Sequence, residues 1–150
     1  MDCIQQKSRI SEHASEACIF CKIIKGEIPS TKIYEDKEVL SFLDINPANK
    51  GHALVIPKKH YETLIDIPEK EIGKIMEAVQ KIARMIEKNL KPDGYNILMS
   101  NHEAAEQVIN HAHIHIIPRY KTDNFKLTWT HKKYEEKEIE AVKKKITQNL

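Results

Sequence analysis

Between residues 68 and 90 apolar side chains recur at intervals of three and four: Ile72, Ile75, Met76, Val79, Ile82, Ala83 and Ile86. That spacing stacks them on one face of an α-helix. Pro68 suits the first helical position, Glu69 and Glu71 oppose the positive end of the peptide dipoles, and Lys88 and Lys91 complement the other end. Pro92-Asp93-Gly94 stops the helix. A last helix is expected from about Tyr134, with Ile139, Val142 and Ile146 on one side, and residues 18–25 read as one or two helical turns stopped by Gly26 and Pro29. Residues 32–34, 39–44, 53–56, 95–99 and 111–117 read as strands. Asn46-Pro47 and Lys50-Gly51 punctuate them as turns, and Pro118 ends the last. Strands outnumber helices and follow one another across short turns. The expected fold class is α+β: an antiparallel sheet with the long helix and the C-terminal helix packed against one face.

A chain of 150 residues is one domain's worth. Its hydrophobic fraction of 41% and charged fraction of 31% are those of a soluble globular protein. A formal net charge of +2, with both signs interspersed, gives no reason to expect a nucleic-acid or membrane partner. No apolar run approaches the roughly 20 residues that span a bilayer. Residues 1–17 are polar and lack a signal core, so they are expected to form a flexible tail before a single domain, residues 18–150. The expected location is the cytoplasm, where thiols stay reduced. The three cysteines are then thiols or metal ligands rather than a disulfide framework.

The last predicted strand carries His111-Ala112-His113-Ile114-His115. Side chains of a strand alternate faces, so the three imidazoles point one way and Ala112, Ile114 and Ile116 point to the core. Three imidazoles in a row do little for packing and are costly to bury unpaired. Imidazole titrates near pH 6.5, so at neutral pH a good share is neutral and nucleophilic. One ring can attack phosphorus while a neighbour donates a hydrogen bond to the leaving group. The same spacing also suits a metal, and spacing alone does not choose. Cys18 and Cys21 form a C-x-x-C pair, able to chelate an ion or to cycle between thiol and disulfide. A redox pair sits at a helix start in a βαβ setting, which this pattern lacks.

Further motifs surround the histidines: CIFCKIIKGEIPSTKIYEDKEVLSFLDINP, then KGHALVIPKKH, GYNILMSN, Gln107 and HIIPRY. Together they resemble the histidine triad (HIT) superfamily, and within it the bacterial-type members of the Hint branch. The likeness runs from Cys18 to about Tyr120, and more weakly to Trp129. It implies a HIT-like fold in which His113 forms a covalent nucleotidyl-histidine intermediate that water then hydrolyses. It further implies that His115 hydrogen-bonds near the leaving group, that His52 supports the nucleophile, and that His111 and Gln107 complete the catalytic group. The resemblance also points to Ile19, Phe20, Ile23, Phe42 and Ile45 as a slot for a purine base, Asp44 as ribose anchor, and Asn101 as a substrate-binding residue. Some similar members bind zinc through residues matching Cys18, Cys21, His60 and His111. Two sulfur and two nitrogen donors make a closed, structural site, and no catalytic metal is required. Family members are usually homodimers, with the long helix and a strand at the interface.

The loop before the triad departs from the family's pattern. It keeps Asn101, Ala105 and Gln107, but both glycines are replaced, by His102 and Glu106, and a serine by Val108. Glycine permits close backbone approach to phosphate, and the serine would donate a hydrogen bond. A weaker enzyme or a shifted substrate is therefore expected. The resemblance implies a purine nucleoside phosphoramidase. The alternatives are hydrolysis of dinucleoside polyphosphates or adenylylated intermediates, or a zinc-stabilised nucleotide-binding module without turnover.

Overall fold

Alternate residues of the central strands face opposite layers, and this places the histidines. The computed structural model describes residues 16–148. In chain order the elements are α1 (Ile19–Lys25), β1 (Lys32–Glu35), β2 (Val39–Leu43), β3 (Ala53–Pro57), α2 (Glu69–Leu90), β4 (Gly94–Leu98), β5 (Ile114–Arg119) and α3 (Glu138–Ile146). Single 3-10 turns lie at Leu64–Asp66 and Glu103–Ala105. One antiparallel sheet runs β1-β2-β3-β5-β4, so β4 is an edge strand. The chain is α+β, and among the described residues no helix is long and apolar enough to cross a membrane.

Val39, Ala53, Val55, Ile114 and Ile116 face α2, whose Ile75, Val79, Ile82 and Ile86 are buried against them. Each such isoleucine withdrawn from water contributes roughly 2 kcal/mol. Leu40, Phe42, Leu54 and Ile56 face the other way, onto Phe20, Cys21 and Ile23 of α1. The sheet is thus covered on both faces, not on one as the pattern predicts. α1 is stopped by Gly26 in the left-handed conformation, with Gly26 N–H donating to the Ile23 carbonyl and Glu27 N–H to that of Lys22. α3 buries none of its residues, and Ile139 and Ile146 are exposed. The expected packing of α3 on the sheet is therefore absent among the described residues.

β5 begins at Ile114 rather than His111, because the chain before it bonds elsewhere. Ala112 N–H donates to the Tyr61 carbonyl at 2.6 Å, and His113 Nδ1 lies 2.6 Å from the His111 carbonyl. Pro118 sits inside β5, opposite Tyr95, rather than ending the strand. Its carbonyl accepts from Asn49 Nδ2 at 2.9 Å. Its nitrogen therefore also faces away from β4, at a level beyond the pairing of Ala53 with Ile116, and no ladder bond is lost. Of the predicted tail, residues 1–17, the first fifteen, Cys3 among them, lie outside the described residues, while Glu16 and Ala17 are helical.

Candidate active site and metal centre

Each imidazole of the triad has a partner that fixes its tautomer. A carbonyl can only accept, so His113 carries its hydrogen on Nδ1, bonded to the His111 carbonyl, and its Nε2 keeps a lone pair. A backbone N–H can only donate, so Ala48 N–H, 3.1 Å from His52 Nδ1, puts the His52 hydrogen on Nε2. That Nε2 lies 2.9 Å from His115 Nδ1, which must accept. Neutral His115 then carries its own hydrogen on Nε2. His111 Nε2 donates to the Pro57 carbonyl at 2.9 Å, turning its Nδ1 lone pair toward the cysteines.

Burial holds these rings neutral. It lowers the pKa of His113 and of His52, against the opposing pull of the Asp44 carboxylate. His115 is pushed down to about 4 by burial first, then by repulsion from His113 and His52. The His113 ring is buried and packs T-shaped with Phe20, 5.3 Å between centroids.

His113 and His115 form one wall of a cleft of about 420 Å³. This lies within the range of small-molecule sites. Ile19, Phe20, Ile23, Phe42, Asp44 and Ile45, all named from the sequence, line it as well. α1 presents the first three, and the strand alternation of β2 presents Phe42. Asp44 Oδ1 accepts from Asn46 N–H at 2.8 Å, while Oδ2 lies 3.7 Å from His52 Nε2. Pattern reading missed Leu54, Ile28, Ser30 and Ile109 in this wall. Leu54 pairs with His115 across β3 and β5, a register no single strand reveals. The Ser30 hydroxyl is buried and has no partner among the described residues. The charged residues lining the cleft are the carboxylates Asp44 and Glu106, with no Lys or Arg among the described residues.

Three predicted residues stand elsewhere. Asn101 does not line the cleft; its Oδ1 accepts from Leu64 N–H at 2.8 Å. Gln107 is buried and its side chain is spent on the backbone: Nε2 donates to the Glu62 and Ile109 carbonyls, and Oε1 accepts from His102 N–H. It staples the loop rather than facing the cleft. The His111 ring joins the cysteines, so its link to His113 is through its carbonyl. His102 and Glu106 both stand at positive φ, 69° and 65°, a backbone conformation that favours glycine.

Cys18, Cys21, His60 and His111 bring one donor atom each within 4.8 Å of all the others. The sulfur–nitrogen separations are 3.5 Å for Cys18–His111, 3.6 Å for Cys21–His111 and 3.3 Å for Cys21–His60. Zinc bonds of about 2.3 Å to sulfur and about 2.0–2.1 Å to nitrogen at tetrahedral angles separate such donors by about 3.6 Å. The donor set therefore fits a zinc ion. The Pro57 carbonyl behind His111 accepts from its Nε2 and so holds the ring with Nδ1 turned to the cysteine sulfurs. Burial pushes the Cys21 thiol up to about 12, with the Cys18 charge next in effect, and lowers both imidazoles, His111 to about 4. A cation would displace the thiol protons.

Comparison with known proteins agrees with this geometry. The adenosine 5'-monophosphoramidase of Candida albicans is 45% identical over 114 residues, covering 73% of this chain and 74% of that protein. An adenylylsulfatase of Arabidopsis thaliana is 48% identical over 106 residues, 71% of this chain and 54% of that protein. The crystal structure of a HIT family member from Bacillus subtilis superposes with a TM-score of 0.84 at 43% identity, covering 89% of this chain and 97% of that one. A zinc-bound histidine triad family protein from Mycobacterium smegmatis superposes with a TM-score of 0.70 at 36% identity, covering 89% and 96%. The family model described as the HIT domain matches residues 25–122, and the chain belongs to the HIT family.

Proposed function

We propose that this protein hydrolyses purine nucleoside 5'-phosphoramidates through a nucleotidyl intermediate on His113. The observation that carries this reading is the hydrogen bond from His113 Nδ1 to the His111 carbonyl, which leaves the Nε2 lone pair as the only nucleophilic face of a neutral ring in the cleft wall. Nε2 attacks phosphorus as the phosphorus–nitrogen bond breaks, and the electron pair leaves with the amine nitrogen. His115 Nε2–H hydrogen-bonds to that nitrogen, which takes one proton from solvent as it leaves, and the water that cleaves the intermediate returns one to solvent. The apolar slot around Phe20 and Phe42 receives the base, and Asp44 anchors the ribose through Oδ2. A cleft with two carboxylates and no cation suits a single phosphate and an amine better than a polyphosphate. The phosphoramidase name of the Candida relative supports the same choice.

A structural zinc on Cys18, Cys21, His60 and His111 would tie α1, which carries Phe20, to the segment that enters β5. It would supply fixed geometry and no chemistry to the reaction. We further read the protein as a cytoplasmic homodimer of one HIT domain, residues 18–150. The edge strand β4, with Tyr95 and Ile97 exposed, and the exposed Met76 and Met85 of α2 support an interface there.

The test is hydrolysis of an AMP phosphoramidate bearing a fluorescent amine, by the wild type and by His113→Ala. Expected are turnover abolished by the substitution, nucleotide binding retained, and an adenylated chain in the intact mass spectrum of quenched wild type. Turnover surviving in His113→Ala would end the proposal.

A further inference from the structure

The His52–His115 pair is set from outside the cleft. His52 stands at the end of the β2–β3 loop, and its backbone N–H donates to the Asn49 carbonyl at 3.0 Å. The adjacent Ala48 N–H is the group that fixes the His52 tautomer. Both contacts depend on where residues 48 and 49 lie. The Asn49 side chain anchors them across the sheet edge: Nδ2 donates to the Pro118 carbonyl at 2.9 Å and to Asp123 Oδ2 at 2.8 Å. Both donor hydrogens of that amide are used, one on each acceptor.

Asp123 is itself immobilised. Its Oδ2 also accepts from Arg119 Nε at 2.7 Å and from Tyr120 N–H at 3.0 Å. Its Oδ1 accepts from Phe125 N–H at 3.0 Å and Arg119 Nη2 at 3.2 Å. Arg119 ends β5, the strand that carries His115. The two ends of the imidazole pair thus rest on one framework: His115 through β5, and His52 through Asn49 and Asp123.

We infer that Asn49, held by Asp123, is a positioning residue that sets the His52 tautomer and through it the Nε2–H that His115 presents to the leaving group. This inference rests on the proposed phosphoramidate reaction for its kinetic consequence, but its structural consequence is independent of turnover. Without the Asn49 amide the 46–51 loop loses its anchor, Ala48 N–H leaves His52 Nδ1, and His52 is free to carry its hydrogen on either nitrogen. His115 then loses its fixed donor direction. The nucleophile His113, oriented by the His111 carbonyl, is untouched.

The test is Asn49→Ala, with Asn49→Ser as the second variant should the first not fold. Kinetics are compared on an AMP alkylamidate, whose amine needs a donor to leave, and on the nitrophenyl ester of AMP, whose anion does not. Turnover of the alkylamidate is expected to fall about tenfold or more, and that of the ester by less than about threefold, with KM unchanged for both. Equal losses on the two substrates would mean a general structural role and overturn the inference. In parallel, ¹⁵N histidine spectra of the substrate-free protein should give one Nε2–H tautomer for His52 and His115 in the wild type, and a mixture in the variant. Unchanged tautomers in the variant overturn the inference even if the wild type hydrolyses neither substrate. Inactivity of the wild type on both, or activity that survives His113→Ala, counts against the proposed reaction alone.

Discussion

His52 Nε2 stands 2.9 Å from His115 Nδ1, and with Ala48 N–H on the far side of the His52 ring the hydrogen between them belongs to His52. The pair works only while both rings are neutral, and that sets its dependence on pH.

His115 is held down to about 4 by burial, while an unfolded histidine takes its proton near pH 6.5. Between these values the unfolded chain binds a proton that the folded one refuses. The contribution of the neutral ring to stability is fully present above about pH 6.5 and is lost as pH falls toward about 4, at up to about 1.4 kcal/mol per pH unit. Urea unfolding at pH 7, 6 and 5 should show the wild type losing stability more steeply than His115→Asn by about that slope. Parallel slopes would contradict the assignment. Because burial also lowers the pKa of His113, the acid fall of kcat/KM should lie below the ordinary imidazole range near pH 6.5, with a level profile above it.

Glu106 occupies φ 65°, ψ 28° at the lip of the cleft, and His102 φ 69°, ψ 162°, a region used almost only by glycine. Restoring glycine at 106 removes a strain of roughly 1 kcal/mol, partly offset by glycine's greater freedom when unfolded. It also removes a carboxylate from a cleft that lacks cations. Glu106→Gly is expected to raise kcat/KM about threefold or more for substrates whose leaving group is anionic, and to leave a cationic amine substrate unchanged or slower. The gain should shrink at high salt, since the charge is exposed. A uniform gain across leaving groups would assign the effect to the backbone instead.

The elements were legible wherever periodicity decided them. The three- and four-residue spacing from Ile72 to Ile86 marked α2, and the alternation from Ala112 into β5 did put Ala112, Ile114 and Ile116 against it. What the pattern left open was which layer each face meets: Leu40, Leu54 and Ile56 are as apolar as Val39 and Val55, so nothing in them announced α1 on the second face. The nearly continuous apolar runs of β2 and β3 were the available sign that both faces are covered. Gln107 was marked by resemblance, but its role as a staple depends on backbone carbonyls that no side-chain pattern encodes. Asn49 and Asp123 lie 74 residues apart and meet only because β3 and β5 are neighbours.

A metal on the cysteine–histidine cluster has a direct check. Protein purified without chelator should hold one zinc per chain by elemental analysis, and Cys18→Ser should hold far less. Metal binding should release protons, because the buried Cys21 thiol is otherwise pushed up to about 12. Stripping the ion should lower the unfolding temperature and weaken AMP binding, since Phe20 lies between Cys18 and Cys21 and packs on both Phe42 and His113. Absence of zinc in freshly purified protein, or full AMP affinity after its removal, would count against the tie.

Gly51 precedes His52 at φ 87°, and a Cβ there would lie 2.4 Å from Leu90 Cδ1 and 3.2 Å from Pro118 Cγ. Leu90 ends α2 and is half exposed, so its side chain can turn aside; Pro118, inside β5, cannot. Gly51→Ala should therefore cost about 1–2 kcal/mol through its left-handed backbone alone, and more through the proline contact. Combining it with Leu90→Ala separates the terms. If Leu90 resists, the double variant is more stable than the sum of the single losses; if Leu90 yields freely, the losses add. In either case the added methyl displaces the backbone that leads into His52, so kcat on an alkylamidate should fall. A Gly51→Ala protein with wild-type stability and turnover would mean that the loop feeding His52 tolerates displacement, and that the His52–His115 geometry is not held as tightly as its hydrogen bonds imply.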